Sequence, residues 1–158
     1  MRDTIQIRSL HENDIGFLRE ALYYAIFVPV GASAPPKTII QRPELARYIE
    51  NFGQQTGDYG FIAVDDSLAV GAVWVRFING YGFVDKMIPE LSIAVIPSYR
   101  AKGIGSRLLK ALYTQLAGKV KQVSLSVNVG NPAYRLYERH GFEVVATDGD
   151  SVTMIRDL

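Results

Sequence analysis

The sequence predicts one domain of the α/β class, of the α+β type, with a mixed, largely antiparallel central sheet flanked by helices. Three observations lead to this prediction. Short segments either alternate apolar and polar residues or are continuously apolar, as strands do. Longer segments carry apolar residues every three or four positions, as amphipathic helices do. The order of these segments is β-α-α-β-β-β-α-β-α-β-β, and no linker or repeat divides residues 1–158, so we expect a single domain.

The first half of the chain contains a strand, two helices and a hairpin. "TIQIRSL" alternates isoleucines with polar residues, which predicts a strand. A helix is predicted from Glu12 to about residue 26, and "VPVGASAPPK" ends it because proline and glycine interrupt helices. "RPELARYIENFG" predicts a second helix from Pro43 to Gly53. "YGFIAVDD" and "LAVGAVWVRF" predict two strands joined by a turn.

The second half begins with the glycine-interrupted segment "INGYGFVDKMI", which is predicted to be either a loop or an irregular extension of the preceding strand. "ELSIAVI" predicts a strand that ends at Pro97, and a helix is predicted over residues 103–118. A short helix follows at about residues 132–140, and two last strands flank "DGD", a turn signal. Between these helices "QVSLSVNV" predicts a strand with one face formed by Val123, Leu125, Val127 and Val129, and the other by Ser124, Ser126 and Asn128.

Composition excludes several classes of function. The 17 basic and 16 acidic residues give a net charge of +1, which predicts neither a nucleic-acid partner nor an anionic membrane surface. No apolar run approaches the roughly 18 residues of a membrane span, and the N-terminal stretch is too polar for a secretory signal, so we expect a cytoplasmic protein. The chain has no cysteine and two histidines without metal-site spacing. We therefore expect no disulfide, no cysteine nucleophile and no metal.

A basic, glycine-spaced loop, "YRAKGIGSRLL", joins a predicted strand to a predicted helix. A helix N-terminus exposes about four unpaired N–H groups and carries roughly half a positive charge. Gly103 and Gly105 lie at this N-terminus, where the absence of a Cβ lets an anion approach the backbone. Arg100 and Lys102 add positive charge. The loop is therefore suited to a phosphate or a pyrophosphate.

Three interpretations of this loop compete on local sequence alone. A Walker P-loop requires Gly-Lys-Ser/Thr, which is absent. A dinucleotide fingerprint requires a third glycine where Leu108 stands, and no acidic residue follows the next strand. The remaining alternative is that the glycines only shape a tight turn from strand to helix.

Two separate motifs resemble the GNAT superfamily of acyl-CoA-dependent N-acetyltransferases. The first motif is Arg/Gln-x-x-Gly-x-Gly/Ala, and it is matched by Arg100, Gly103 and Gly105. Its usual lead-in is a strand followed by Pro-x-x-Arg, which ends on the same arginine and is matched by Val95, Pro97 and Arg100. The second, Asn…Ala-x-x-Leu-Tyr-x-x-x-Gly-Phe, is matched by Asn131, Ala133, Leu136, Tyr137, Gly141 and Phe142. One departure is that Asn131 precedes Ala133 by two residues where many members have three.

The resemblance implies a binding mode for acetyl-CoA, which acts as the acyl donor. The pyrophosphate is expected on the loop and helix start formed by Arg100, Ala101, Lys102, Gly103, Ile104, Gly105 and Ser106. The pantetheine arm is expected to pair like an extra strand along Ile93, Ala94 and Val95. A bulge near Ile93 or Ala94 is expected to aim a backbone N–H at the thioester oxygen. Asn131 is expected either to contact CoA or only to cap the helix that follows it.

The resemblance also implies direct attack by an amine on the thioester in a ternary complex. Tyr137 is the expected general acid for the CoA thiolate, and its alternative is a packing role in the core. Glu90 is the expected base for the amine, and its alternative is a solvated surface carboxylate. Asp85 and Tyr81 are secondary pocket candidates, whereas we expect His140 to be a packed or surface residue.

Two hypotheses of different classes follow. The first is an N-acetyltransferase that uses a small-molecule or peptide amine as acceptor, with a homodimer as a possible assembly. The second is a non-catalytic acyl-CoA-binding sensor or regulatory module of the same fold. Because a module that only binds needs neither Glu90 nor Tyr137, the first hypothesis is preferred.

Overall fold

The computed structural model describes residues 3–158 and contains one seven-stranded sheet. Its strands follow the spatial order β1-β2-β3-β4-β5-β7-β6. In chain order the strands are β1 (Ile5–Ser9), β2 (Tyr59–Asp65), β3 (Leu68–Arg76), β4 (Glu90–Val95), β5 (Gln122–Asn128), β6 (Glu143–Asp148) and β7 (Ser151–Asp157). The α-helices are α1 (Ile15–Ala25), α2 (Pro43–Ala46), α3 (Ile104–Leu116) and α4 (Ala133–Arg139). The predicted order of elements is confirmed.

All neighbouring strands are antiparallel except β4 and β5, which are parallel. This arrangement confirms the prediction of a mixed, largely antiparallel sheet. The parallel pair is also the shortest ladder, because it registers at one position only, Glu90↔Ser124. Residues 77–89 contain no strand, so of the two predicted alternatives this segment is a loop and not an extension of β3.

Helices cover both faces of the sheet. On one face α3 and α4 enclose a cluster formed by Leu108, Leu109 and Leu112 of α3 with valines of the strands. On the opposite face α1 packs on β3 and β4, together with Trp74, Tyr48 and Phe52. Side chains alternate between the two faces along each strand, so successive residues of a strand pack against opposite helix layers.

Helix α2 is shorter than predicted, because it ends at Ala46 rather than at Gly53. The chain from residue 47 to residue 53 continues as turns. The physical reason lies in β3. The Arg76 guanidinium donates hydrogen bonds to the carbonyl oxygens of Arg47 (3.0 Å) and Glu50 (2.7 Å), which a helix would use for its own amides.

Strand β5 departs from its predicted alternation at two positions. Val129 lies beyond the strand and is 50% exposed, so it does not continue the buried face of Val127. Ser124 is fully buried although it lies on the polar face. Along residues 3–158, no helix has the length and the apolar character that crossing a membrane requires.

Candidate active site

Strands β4 and β5 diverge and leave an open edge in the centre of the sheet. They pair only at Glu90↔Ser124, where the Ser124 amide donates to the Pro89 carbonyl at 3.0 Å. Towards the C-terminal end of β4 no further pairing with β5 is registered in the described chain. The unpaired main-chain groups of β4 therefore face a gap that an extended ligand can enter.

The bulge predicted near Ile93 or Ala94 is absent from the β3–β4 ladder. This ladder runs in continuous register from Gly71↔Val95 to Arg76↔Glu90. The opening is therefore a divergence of β4 and β5, which register at one position only, and does not come from an extra residue in β4.

Strand alternation nevertheless places a donor in the gap. The Ile96 amide donates to the Val70 carbonyl of β3 at 2.9 Å, so even-numbered residues of this strand direct their amides to β3. The amides of Ile93 and Val95 consequently point towards β5 and the gap. One carbonyl at this edge is in use, because Val95 accepts a hydrogen bond from Arg100 Nε at 3.0 Å.

The start of α3 has the geometry of an anion site. Ala101 and Gly103 have φ angles of +62° and +81°, so the backbone turns sharply just before the helix begins. No side chain caps this helix, so its first N–H groups have no helical or side-chain acceptor. Gly105 serves close packing as well, because a Cβ there would meet Leu136 at 3.2 Å.

A cleft of about 1710 Å³ joins the gap to the start of α3. It is lined by all the predicted site residues except Lys102, namely Glu90, Ile93, Ala94, Val95, Arg100, Ala101, Gly103, Ile104, Gly105, Ser106, Asn131 and Tyr137. The Lys102 ammonium lies 5.4 Å from the centre of the Tyr99 ring, outside the lining of the cleft.

Two of the predicted cofactor contacts have partners within the protein. Arg100 donates to the carbonyls of Val95 and Tyr24, the latter at 3.3 Å, which ties the end of α1 to the end of β4. The Asn131 side-chain oxygen accepts the Ala133 amide at 3.0 Å, so the helix-capping role that was one alternative is present.

Tyr137 reaches the cleft from the face of the sheet that carries α3 and α4. Its ring packs with Phe142 at a centroid distance of 5.7 Å, which fixes the direction of the side chain. The hydrogen bonds found beside it join His140 to the hydroxyls of Ser106 and Tyr113, and not to that of Tyr137. Burial raises the pKa of Tyr137 above the usual value for a phenol, so the hydroxyl keeps its proton at neutral pH.

Glu90 meets the cleft from the opposite face and is 2% exposed, which contradicts the alternative of a solvated surface carboxylate. Its carboxylate accepts hydrogen bonds from the Tyr48 hydroxyl (2.9 Å) and from the amides of Gly80 (2.7 Å) and Gly82 (3.1 Å). Burial raises its pKa, while these three donors and the charge of Arg47 oppose that rise. A carboxylate can accept about four hydrogen bonds, so one position remains for an amine or a water molecule.

Sequence reasoning missed the residues that hold Glu90. Tyr48 lies 42 positions away in sequence, and its hydroxyl also accepts the Tyr81 amide at 2.8 Å. Trp74 donates from its indole nitrogen to the Tyr48 carbonyl at 3.0 Å. The aromatic residues of "ELARYIENF" gave a signal of burial, but nothing in the sequence specified their partners.

The secondary candidates separate in the structure. Tyr81 lines the cleft and is 57% exposed, whereas Asp85 accepts the Met87 amide and is not part of the lining. His140 also lines the cleft, with its ring nitrogens 2.9 Å from the Ser106 hydroxyl and 3.2 Å from the Tyr113 hydroxyl. Burial and the nearby cations Lys110, Arg156 and Arg139 lower its pKa. Among residues 3–158, no group of three or more possible metal ligands is found.

Relatives with curated names support an acetyltransferase assignment. The N-alpha-acetyltransferase of Saccharolobus solfataricus is 34% identical over 107 residues, which are 60% of this chain and 64% of that protein. The N-alpha-acetyltransferase of Sulfurisphaera tokodaii is 36% identical over 95 residues, 54% of this chain and 56% of that protein. The chain thus spans less than two thirds of the length of either relative.

Solved structures share the fold at low identity. The PaiA N-acetyltransferase of Thermoplasma acidophilum, solved in complex with coenzyme A, superposes with a TM-score of 0.73 at 22% identity, covering 99% of this chain and 100% of that one. A putative acetyltransferase of Salmonella typhimurium, solved with acetyl-CoA, gives a TM-score of 0.71 at 19% identity over 99% and 95% of the two chains. The family model of the acetyltransferase (GNAT) domain matches residues 56–144, more than half of the chain. This protein therefore belongs to the GNAT acetyltransferase family.

Proposed function

We propose that the protein transfers an acetyl group from acetyl-CoA to a primary amine by direct attack in a ternary complex. The observation that carries the proposal is the gap between β4 and β5, which Tyr137 reaches from one face of the sheet and Glu90 from the other. Donor and acceptor can therefore meet from opposite sides, with an acid and a carboxylate at the meeting point.

The residues around the gap fit acetyl-CoA, which supplies an activated acyl thioester when bound. The uncapped amides at the start of α3, beside Arg100, suit its pyrophosphate. The amide of Ile93 and the open edge of β4 suit its amide-containing arm. No metal is needed for this reaction, because a backbone N–H can stabilise the negative charge that develops on the oxygen.

Two proton transfers are assigned to this chain. Tyr137 lines the cleft and its phenol is protonated at neutral pH, so it can donate its proton to the thiolate as the carbon–sulfur bond breaks. An alkyl amine must lose a proton before it attacks, and Glu90 retains one acceptor position for that proton or for a bridging water molecule. The carboxylate also attracts a cationic amine into the cleft.

The names of the two N-alpha-acetyltransferase relatives make the α-amino group of a polypeptide the first acceptor to test. The test combines binding with turnover. Acetyl-CoA at 100 times its Kd should stabilise the fold by about 2.7 kcal/mol. Peptide and small primary amines should then release free CoA, measured with a thiol reagent, faster than acetyl-CoA alone does.

Two results would contradict the proposal. Absence of any stabilisation by saturating acetyl-CoA would exclude both transfer and a CoA-binding module. Stabilisation without CoA release from any amine would favour the non-catalytic binding module.

A further inference from the structure

On the α1 and α2 face of the sheet, the cleft is bounded by two unlike walls. The first, which we call the apolar wall, is formed by the segment after α1 together with α2 and the β3–β4 loop. Its main side chains are Phe27, Val28, Val30, Pro35, Leu45 and Tyr81. Between residues 22 and 48, and at Tyr81, the described chain contributes no charged side chain to the lining of the cleft.

The second wall comes from two neighbouring strands. We call it the hydroxyl row, because three of its four side chains carry a hydroxyl and the fourth carries an amide. Ser126 of β5 stands opposite Thr153 of β7, and Asn128 stands opposite Ser151. These four side chains lie on the α1 face, while Val127 and Val152 of the same strands, which also border the cleft, belong to the core cluster on the α3 face. The row presents small polar groups at the spacing of an antiparallel sheet.

The charged side chains that line the cleft all belong to other segments of the chain, and Arg100 among them donates to the Tyr24 carbonyl at the end of α1. Glu90 is engaged by three donors, and Asp148 lies beyond the row at the β6–β7 turn. The cations Lys110, Arg139 and Arg156 line the end formed by α3, α4 and β7. A charged side chain buried against the aliphatic members of the apolar wall, such as Val28 and Leu45, would lose water and find no oppositely charged side chain there, which is costly.

Phe27 brings the apolar wall close to the end of the hydroxyl row. A Cβ at Gly130, just after β5, would lie 3.6 Å from the Phe27 ring. The walls therefore approach each other across the cleft, and an acceptor between them must satisfy both. An apolar side group suits the first wall, and amide groups suit the second.

We infer that the acceptor is the α-amine of a peptide whose first side chain is apolar and uncharged, with that side chain against the apolar wall and the following amides along the hydroxyl row. This inference rests on the proposed transferase function. Peptides that begin with an acidic or a basic residue should therefore be poor acceptors.

The test uses peptide amides that differ only in the first residue: leucine, asparagine, aspartate and lysine. Leucine, asparagine and aspartate have nearly the same shape, so polarity and charge are the variables. The leucine peptide should show a kcat/KM at least about tenfold above those of the aspartate and lysine peptides, with asparagine between. Free CoA release is measured, and the rise in melting temperature with acetyl-CoA is recorded for each protein.

A pair of matched variants locates the preference. Val28→Asp places a carboxylate on the apolar wall, and Val145→Asp places one on β6, away from the cleft; the two valines are 36% and 48% exposed. Val28→Asp should cut the ratio of leucine to lysine peptide at least about fivefold, because the new carboxylate pairs with the lysine ammonium. Val145→Asp should leave the order of peptides unchanged, and both variants should keep the acetyl-CoA shift.

Each other outcome overturns the inference in a distinguishable way. If the four peptides react within twofold of each other, or if the aspartate or lysine peptide is preferred, transfer stands and the inferred acceptor class is wrong. The same holds if only non-peptide amines react. If acetyl-CoA stabilises the protein but no amine releases CoA, the proposed transfer fails and the inference fails with it.

Discussion

The two faces of the sheet are held together by different physics. Under α3 and α4 the cluster consists of aliphatic side chains and Met154, with Tyr137 and Phe142 as its aromatic members. Under α1 and α2 the core is smaller, and buried polar groups accompany its aromatic residues. Arg76 and Glu90 are opposite each other on β3 and β4, and each is only 2% exposed.

The two kinds of packing suit two different roles in the protein. Apolar contacts have no direction, so the α3 face supports a helix without fixing individual polar atoms. Hydrogen bonds have direction, so the α1 face can hold a carboxylate and two glycine amides at set distances. The cleft lies where the two faces meet, and its proposed acid and base come from one face each.

We call the α1 and α2 side of the sheet, with its buried Arg76 and Glu90, the polar face, and the α3 and α4 side the aliphatic face. The largest effect should come from removing the Arg76 guanidinium from the polar face. Its guanidinium forms a buried ion pair with Asp58, at 2.8 and 3.1 Å, and also donates to carbonyls of the chain that follows α2. Arg76→Met would leave a carboxylate and several carbonyls buried without their donor. We expect a loss of about 3–5 kcal/mol in the free energy of unfolding, measured by urea denaturation.

Leu112→Met is the matched control, because it ends in the same side chain on the aliphatic face. Leu112 is fully buried, and a replacement of similar volume there should cost less than about 1.5 kcal/mol. Equal losses in the two variants would contradict the contrast between the faces.

The second effect concerns turnover at Tyr137. Tyr137→Phe removes one hydroxyl and keeps the ring that packs against Phe142, so the fold should be kept. Loss of a general acid should lower kcat about 100-fold while acetyl-CoA still raises the melting temperature. The measurement is kcat with a reactive amine under conditions in which chemistry limits the rate.

Tyr134→Phe provides the control on the same helix. Tyr134 packs against the aliphatic cluster but does not line the cleft, so its kcat should stay close to the wild-type value. Wild-type kcat in Tyr137→Phe would show that the hydroxyl does not protonate the thiolate.

The aliphatic face is the part that sequence predicts well. Strand and helix periods depend on burial on one side, so the segments that became α3 and β5 were recognisable from their apolar residues. The glycines at the start of α3 were also informative, because Gly103 adopts a left-handed φ of +81°. Local pattern and tertiary packing agree there.

The polar face was less predictable because its bonds join distant parts of the chain. Arg76 donates to carbonyls 26 and 29 positions away, which ended α2 earlier than its own residues indicated. Tyr48 and Glu90 are 42 positions apart, and neither residue type specifies the other as partner. The predicted bulge was wrong for the same reason, since divergence of β4 from β5 depends on both strands.

The third effect tests how closely the β3–β4 loop approaches the carboxylate. A Cβ at Gly80 would collide with the Tyr48 hydroxyl and would lie 2.7 Å from Glu90 Oε1. Gly80→Ala should therefore displace the loop, lower stability by about 2 kcal/mol, and reduce turnover. At Gly16 in α1 a Cβ would meet no atom within 4 Å, so Gly16→Ala should instead add about 0.5–1 kcal/mol. If Gly80→Ala left both the stability and the turnover unchanged, the close contact between the loop and Glu90 would be contradicted.

The smallest effect is a pH dependence at Glu90. Burial raises its folded-state pKa above the ordinary value of 4.5, so the protonated form is favoured in the folded protein. A group with a raised pKa contributes stability that is present below the unfolded pKa and is lost as pH rises through the folded pKa. Glu90→Gln cannot titrate, and its NH2 group must face either the Gly80 N–H or the Gly82 N–H, so it should cost about 1 kcal/mol at pH 4.

The wild type should therefore exceed Glu90→Gln in free energy of unfolding by less at pH 7 than at pH 4. The measurement is the urea midpoint of both proteins in the same buffers. Groups common to both proteins cancel in this comparison, so the change with pH reports Glu90 alone. An advantage that widens with pH would mean that the bonds from Tyr48, Gly80 and Gly82 outweigh burial. The polar face would then hold an ionised carboxylate at no cost, and the amine would meet a base that is already charged.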